Sequence, residues 1–360
     1  RRGRIQKVSN TPQALGCVAQ RVPQTNVVEP LLLQRMSITE YREPYKVDGK
    51  FEFPEFYDRF QKAIASVWRP EEVSMGTDVT DWQEATEEEK AVIGGVLKGF
   101  TQLEVHVSEY WADVVAKQFP KHEILAMARA FSCSEAVHAA AYSHLSDTLG
   151  IDEFEAFLGD PTARAKIDYF TSQTDPVVSL GVFSGAGEGV SLFSSFAALL
   201  SFNLDGRFKG LSQIISWSAL DEQQHSEGGC ALFRQLDEEG KVSDDQKRQV
   251  VEGFRAVLDN EDAFLERIFN GYSLSCIDRD DLWNYLRYRS NDRLTQLGID
   301  FTFDFDEVKA DRISKWFEPV LKGQVSNDFF AHSKDGSMYV AKPGQEFDRV
   351  KWSSLDLALV

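Results

Sequence analysis

Two pairs of residues in this chain have the types and the spacing for metal chemistry: Glu135 with His138, and Glu222 with His225. Residues three apart on an α-helix project from one face, so each pair aims a carboxylate and an imidazole in the same direction. Both pairs sit in stretches of low charge, ARAFSCSEAVHAAAY and GLSQIISWSALDEQQH, which as helices must be buried. Carboxylate and neutral imidazole are ligands suited to iron and manganese. Two such pairs, joined by one inward carboxylate from each of two further helices, make the carboxylate-bridged dinuclear site of helical bundles.

Two lone acids supply the missing carboxylates. Glu188 is the only charged residue between Asp175 and Asp205, in the middle of an apolar, small-residue run. A buried, ionised carboxylate is costly unless it is paired or binds a metal. A membrane-spanning helix would face the same difficulty, and no other segment looks spanning, so a buried helix of a soluble protein is expected. Glu104, in FTQLEVHVSEYW, stands in the same way on another long apolar helix. Four buried acids facing one another repel, and two divalent ions give that charge a counterpart. The expected ligands are therefore Glu104, Glu135, His138, Glu188, Glu222 and His225. His106 and His144 lie close by but lack a Glu three residues earlier and are not expected to bind. Tyr142 follows Glu135 by almost two helical turns, which returns it to the ligand face. A tyrosine beside an oxygen-activating metal pair can be oxidised by one electron.

The elements that must position these residues read as an all-α protein. Helices are predicted over 54–67, 86–118, 122–149, 177–203, 207–238, 243–271 and 278–297, with shorter ones filling 151–173. Thr86 followed by three glutamates looks like a helix start, and Gly150 like a helix end. The cluster at 76–83 is expected to be a loop, and the alternating FTFDFD at 301–306 a short strand. Three regions result: an arm over 1–50, a helical domain over 51–325, and a flexible tail over 326–360.

Composition bounds the rest. With 42% hydrophobic residues and 26 Phe among 360, a large core is available. A formal charge of −18 argues against nucleic acid or an anionic membrane as the main partner. Cys17, Cys133, Cys230 and Cys276 form no CxxC, and no secretory signal is visible. Free buried thiols in a reduced, cytoplasmic compartment are the expectation.

Taken together, the motifs resemble those of the small, radical-generating subunit of class I ribonucleotide reductase, a member of the ferritin-like superfamily. The pattern ExxHxxxY stands as Glu135, His138 and Tyr142, and Asp221-Glu222-x-x-His225 follows. Trp68-Arg69-Pro70-Glu71-Glu72-Val73 is similar to the family's WRPEEV segment, and Asn327-Asp328-Phe329-Phe330 and Tyr339 extend the likeness toward the C-terminus. The resemblance implies a ferritin-like bundle with additional helices. Glu104, Glu135 and His138 would hold one metal, and Glu188, Glu222 and His225 the other, with Glu135 and Glu222 as bridges. The cofactor implied is a pair of ions, Fe/Fe, Mn/Fe or Mn/Mn, with an oxidant derived from dioxygen stored near Tyr142. Trp68, linked through Asp221 to His138, and Tyr339 in the tail would carry the oxidising equivalent to a large subunit, on which SSLDLALV would dock. A homodimer is also implied.

This chain departs from the family pattern at particular positions. Glu104 stands where most of the family has Asp, as in a subgroup whose Mn/Fe centre replaces the tyrosyl radical, yet Tyr142 is kept. Around Tyr142, Phe196 fits, whereas Leu192 and Ser218 occupy positions usually filled by Phe and Ile. A ferritin-like oxidase acting directly on an apolar substrate, or an iron-storage bundle, would account for the ligands but not for Trp68 and Tyr339.

Overall fold

The computed structural model describes residues 37–41 and 51–322, apart from 153, 156–158, 172, 173 and 275. All of these lie in the compact unit Met36–Val360. Most of the expected arm, and the expected tail with Tyr339, fall outside the described residues.

The chain opens with α1 (Pro54–Ala65), a short 3-10 turn at Pro70–Glu72, and α2 (Gly76–Glu84). The long α3 runs as α-helix over Glu87–Glu109, widens to π-helix over Tyr110–Val115 and closes with Ala116–Gln118. Next come α4 (His122–Leu149) and α5 (Pro161–Thr171). Helix α6 spans Pro176–Leu204, its middle stretch Val182–Ser191 again π-helical. It is followed by α7 (Lys209–Glu238), α8 (Asp244–Phe269), α9 (Arg279–Leu297) and α10 (Glu307–Leu321).

Local chemistry accounts for most of these boundaries. Thr86 caps α3 through a reciprocal capping box with Glu89, which satisfies two backbone N–H groups that a helix start leaves open. Ser243 with Gln246, and Asp278 with Asp281, do the same for α8 and α9. Gly150 ends α4 at φ 69°, a conformation that costs a glycine little.

Helix α3 packs along α4, and α6 along α7. Helices α8 and α9 cover the π-helical stretch of α6, and α10 lies on α9. In α6, 94% of its most apolar window is buried inside the protein, so its hydrophobicity serves the core.

The structure corrects the sequence reading at several points. Residues 76–84 form α2 rather than a loop, because the Asp78 carboxylate accepts the N–H groups of Gly210 and Leu211 at the start of α7. No strand forms at 301–306. Its backbone is held instead by α9 side chains: Asn291 exchanges two hydrogen bonds with Phe303, and Arg287 donates to Asp304 O. Helix α10, capped by Asp306, adds an element after 297 that the sequence reading does not mark. Of the three described cysteines only Cys230 is buried, while the Cys133 and Cys276 thiols are exposed and in no disulfide.

Candidate metal centre

Four helices bring the six expected ligands to one buried place. Glu104 comes from α3, Glu135 and His138 from α4, Glu188 from the π stretch of α6, and Glu222 and His225 from α7. All six are buried. Their ligand atoms fall into two overlapping clusters, each within 4.8 Å: Glu104, Glu135, His138 and Glu222, then Glu135, Glu188, Glu222 and His225. Glu135 and Glu222 belong to both, which is the arrangement of two ions sharing two bridging carboxylates.

The imidazoles face the bridges. His138 Nδ1 lies 2.9 Å from Glu222 Oε1, 3.0 Å from Glu135 Oε2 and 4.0 Å from Glu104 Oε2. His225 Nδ1 lies 2.5 Å from Glu135 Oε1 and 3.3 Å from Glu222 Oε2. The two rings are stacked, 6.2 Å between centroids.

Whether these residues fit metal is tested by what they leave unsatisfied. Both oxygens of Glu104 and of Glu222, Glu135 Oε1, Glu188 Oε2 and His225 Nδ1 are buried and complete no hydrogen bond among the described residues. So many buried, converging acceptors would be strongly destabilising without a cation among them. The donor set, four carboxylates and two imidazoles, suits iron and manganese. The residues fit a dinuclear centre.

The electrostatics agree. Burial, and then the neighbouring Glu222, push the Glu104 carboxyl up to about 7. Burial and Glu222 likewise push Glu135 well up, and burial does the same to Glu188. Burial would also raise Glu222, but His225 and His138 beside it hold its carboxyl down at about 2. Burial lowers both imidazoles, yet the close approach of Asp221, Glu135 and Glu222 to His138, and the charge of Glu222 beside His225, raise them overall.

Around the ligands the structure places the other candidates. Asp221 Oδ2 accepts the Trp68 indole N–H at 2.9 Å and faces His138 Nε2 at 3.3 Å. The Trp68 ring stacks near His138 at 5.8 Å and tilts against Trp217 at 5.3 Å. Tyr142 is buried 6.3 Å from the His138 ring and 4.9 Å from Phe100, which in turn meets Phe196 at 5.0 Å. Burial and then Glu104 push its phenol well above the usual range, and Ser218 works the other way. His106 is exposed and His144 half-buried, and neither joins the clusters.

Trp111 is a contributor that sequence reasoning missed. Its indole N–H donates to Glu188 Oε1 at 2.5 Å from the π stretch of α3. The signal was available, since Trp111 follows Glu104 at the spacing by which Tyr142 follows Glu135. Between α3 and α6 lies a cavity of about 420 Å3, lined by Leu103, Val107, Tyr110, Phe183 and Leu192, with Glu188 in its wall.

Comparison with known proteins bears on this geometry. The family model described as ribonucleotide reductase, small chain, matches residues 49–309. The chain is 29% identical over 354 residues to the probable ribonucleoside-diphosphate reductase small subunit 376L of Invertebrate iridescent virus 6, covering 86% of this chain and 97% of that protein. It is 30% identical over 308 residues to the corresponding protein 048L of Invertebrate iridescent virus 3, covering 78% and 81%. Among solved structures, the dimanganese(II) NrdF of Streptococcus sanguinis shares the fold at a TM-score of 0.68 and 20% identity, covering 79% of this chain and all of that one.

Proposed function

Because the chain belongs to the ribonucleotide reductase small-chain family, we propose that it generates and stores the oxidising equivalent that a separate large subunit uses to reduce ribonucleoside diphosphates. The observation that carries this reading is the unbroken chain of contacts from the ligand cluster through His138 and Asp221 to Trp68. A storage bundle has no use for such an exit.

Glu104, Glu135 and His138 would hold one ion and Glu188, Glu222 and His225 the other, with Glu135 and Glu222 between them. Iron or manganese there, as Fe/Fe, Mn/Fe or Mn/Mn, supplies one-electron oxidising power drawn from dioxygen. The cavity beside Glu188 offers a small, apolar oxidant a way in.

The residues themselves do the rest. Asp221 accepts from His138 Nε2, which puts the proton on that nitrogen and leaves Nδ1 free to face the carboxylates. The same Asp221 oxygen receives the Trp68 N–H, so it is placed to take the indole proton when Trp68 gives up an electron. The Tyr142 phenol holds its proton tightly, so losing an electron must be coupled to losing that proton. Ser218, beside the phenol, makes the wall around Tyr142 more polar than a hydrocarbon side chain would.

Tyr339 would carry the oxidising equivalent across the interface, and SSLDLALV would dock on the large subunit. A cytoplasmic homodimer is the assembly this reading implies.

The test is the EPR spectrum of protein loaded with Fe(II) and Mn(II) in oxygen, beside Tyr142→Phe. An organic radical lost in the variant places the stored oxidant on Tyr142. A metal-centred signal unchanged in both places it on the ions and makes Tyr142 a bystander. No oxidised species in either protein, with both ions bound, would reject the proposal.

A further inference from the structure

Arg289 sits on α9, a helix that supplies no ligand, yet it reaches two of the elements that do. It is nearly fully buried, and its Nε donates to the carbonyl of Gly189 at 2.9 Å, the residue directly after Glu188. One terminal nitrogen donates to Gln223 Oε1 at 3.0 Å, the residue directly after Glu222. The other donates to Glu318 Oε1 at 3.0 Å on α10, and the guanidinium lies 3.5 Å over the Phe193 ring. A planar guanidinium with donors in a fixed fork is suited to hold separate acceptors at a set distance.

The Gly189 carbonyl belongs to the π stretch of α6, where the usual helical ladder is interrupted and the backbone needs outside support. Ser226 of α7 gives similar support at Ser184 O, 2.7 Å away. On the far side of the stretch, the Ser191 and Ser194 hydroxyls donate to Glu261 at 2.5 and 3.0 Å. There is no slack at Gly189: a Cβ there would stand 2.5 Å from Ser226 Oγ and 2.6 Å from Arg293 Cδ. The position of Glu188 is thus set by contacts outside its own helix. Arg293 packs on Gly189 and donates to Gln223 Oε1 at 3.4 Å, but among the described residues only Arg289 hydrogen-bonds both residues that directly follow Glu188 and Glu222.

We propose that Arg289 is a positioning residue for the metal centre, tying Gly189 to Gln223 so that Glu188 and Glu222 are held at the separation needed to share the second ion. This rests on the dinuclear reading given above. Loss of the tie lets the π stretch move against α7, which loosens the site holding Glu188, Glu222 and His225 more than the one built on Glu104, Glu135 and His138, which shares Glu222 but not Glu188.

The experiment is a titration of metal-free protein with Mn(II), following free ion and the spin-coupled pair by EPR, in the wild type, Arg289→Lys and Gln223→Leu. Lysine keeps the charge but not the fork, and leucine leaves Arg289 in place while removing the α7 end of the tie, together with the Gln223 bonds to Arg293 and Glu227. The expected result is a first ion weakened less than the second, a second ion bound on the order of tenfold more weakly, and a reduced coupled signal in both variants. Circular dichroism would show both folded. If Arg289→Lys fails to fold, Gln223→Leu decides alone. Wild-type affinity for the second ion and a wild-type coupled spectrum in the folded variants overturn the proposal while leaving the dinuclear centre in place. A wild type that binds fewer than two ions overturns the dinuclear reading itself, and the tie falls with it.

Discussion

Glu104 shows most directly how burial becomes chemistry. Its carboxyl is raised from 4.5 to about 7 by burial and by Glu222, so in metal-free protein it favours folding while protonated. That contribution is full below about pH 4.5 and is lost as pH rises through about 7. Metal-free Glu104→Gln should therefore melt with the wild type near about pH 5 and above it near about pH 8, which differential scanning calorimetry would show. Metal binding must displace the same protons, so affinity for Mn(II) should fall as pH drops below about 7. Calorimetric titration in buffers of different ionisation enthalpy would detect the released protons. At Trp68, replacement by Phe keeps an aromatic ring but removes the N–H that Asp221 accepts. Reductase activity with the large subunit should fall by on the order of a hundredfold or more while two metals still bind, and full activity would remove Trp68 from the relay. All six residues of the cluster were legible in the sequence, because an acid or histidine on an apolar helix face is an energetic anomaly that spacing alone reveals. Trp111 carried only its spacing from Glu104 as a signal, since an indole on a buried face is ordinary until a carboxylate is found beneath it.

Among the elements, the π-helical stretches of α3 and α6 carry Trp111 and Glu188 and bring them within a hydrogen bond. An apolar pattern predicts that such a helix exists and is buried, but a widened turn changes which residues share a face, and composition does not mark it. Close approach of neighbouring helices holds α6 in place. At Gly185 a Cβ would stand 2.7 Å from Phe254 Cζ and 2.8 Å from Leu297 Cδ1. Gly185→Ala should cost about 1–3 kcal/mol through overpacking, seen as a lower Tm, and an unchanged Tm would show that α8 and α9 yield freely. The misread segments have the same origin. FTFDFD alternates like a strand, but no partner strand is present among the described residues, and α9 side chains satisfy its backbone instead. GTDVTDWQE holds only two strong helix formers, Gln83 and Glu84, yet it folds as α2 where Asp78 meets the start of α7.

For the molecule as a whole, the centre ties four helices together, so metal and fold should be linked. Chelation should lower the Tm of loaded protein by several degrees or more, and re-addition of Mn(II) should restore it. Removing residues 326–360 should abolish activity with the large subunit while leaving two metals bound, and retained activity would show that docking lies elsewhere. The sequence by itself determined the all-helical class, the helices that bear the buried acids and imidazoles, the six residues that gather in the cluster, and the Tyr142 candidate. These depend on residue type and on spacing within one helix, quantities that are local in the chain. The family resemblance implied that Glu135 and Glu222 are shared and that Asp221 links Trp68 to His138, but only the tertiary structure gave these groups their distances and decided that Arg289 reaches past Glu188 and Glu222. Those relations join residues far apart in the chain, and their distances are set by how helices pack rather than by how any one of them is written.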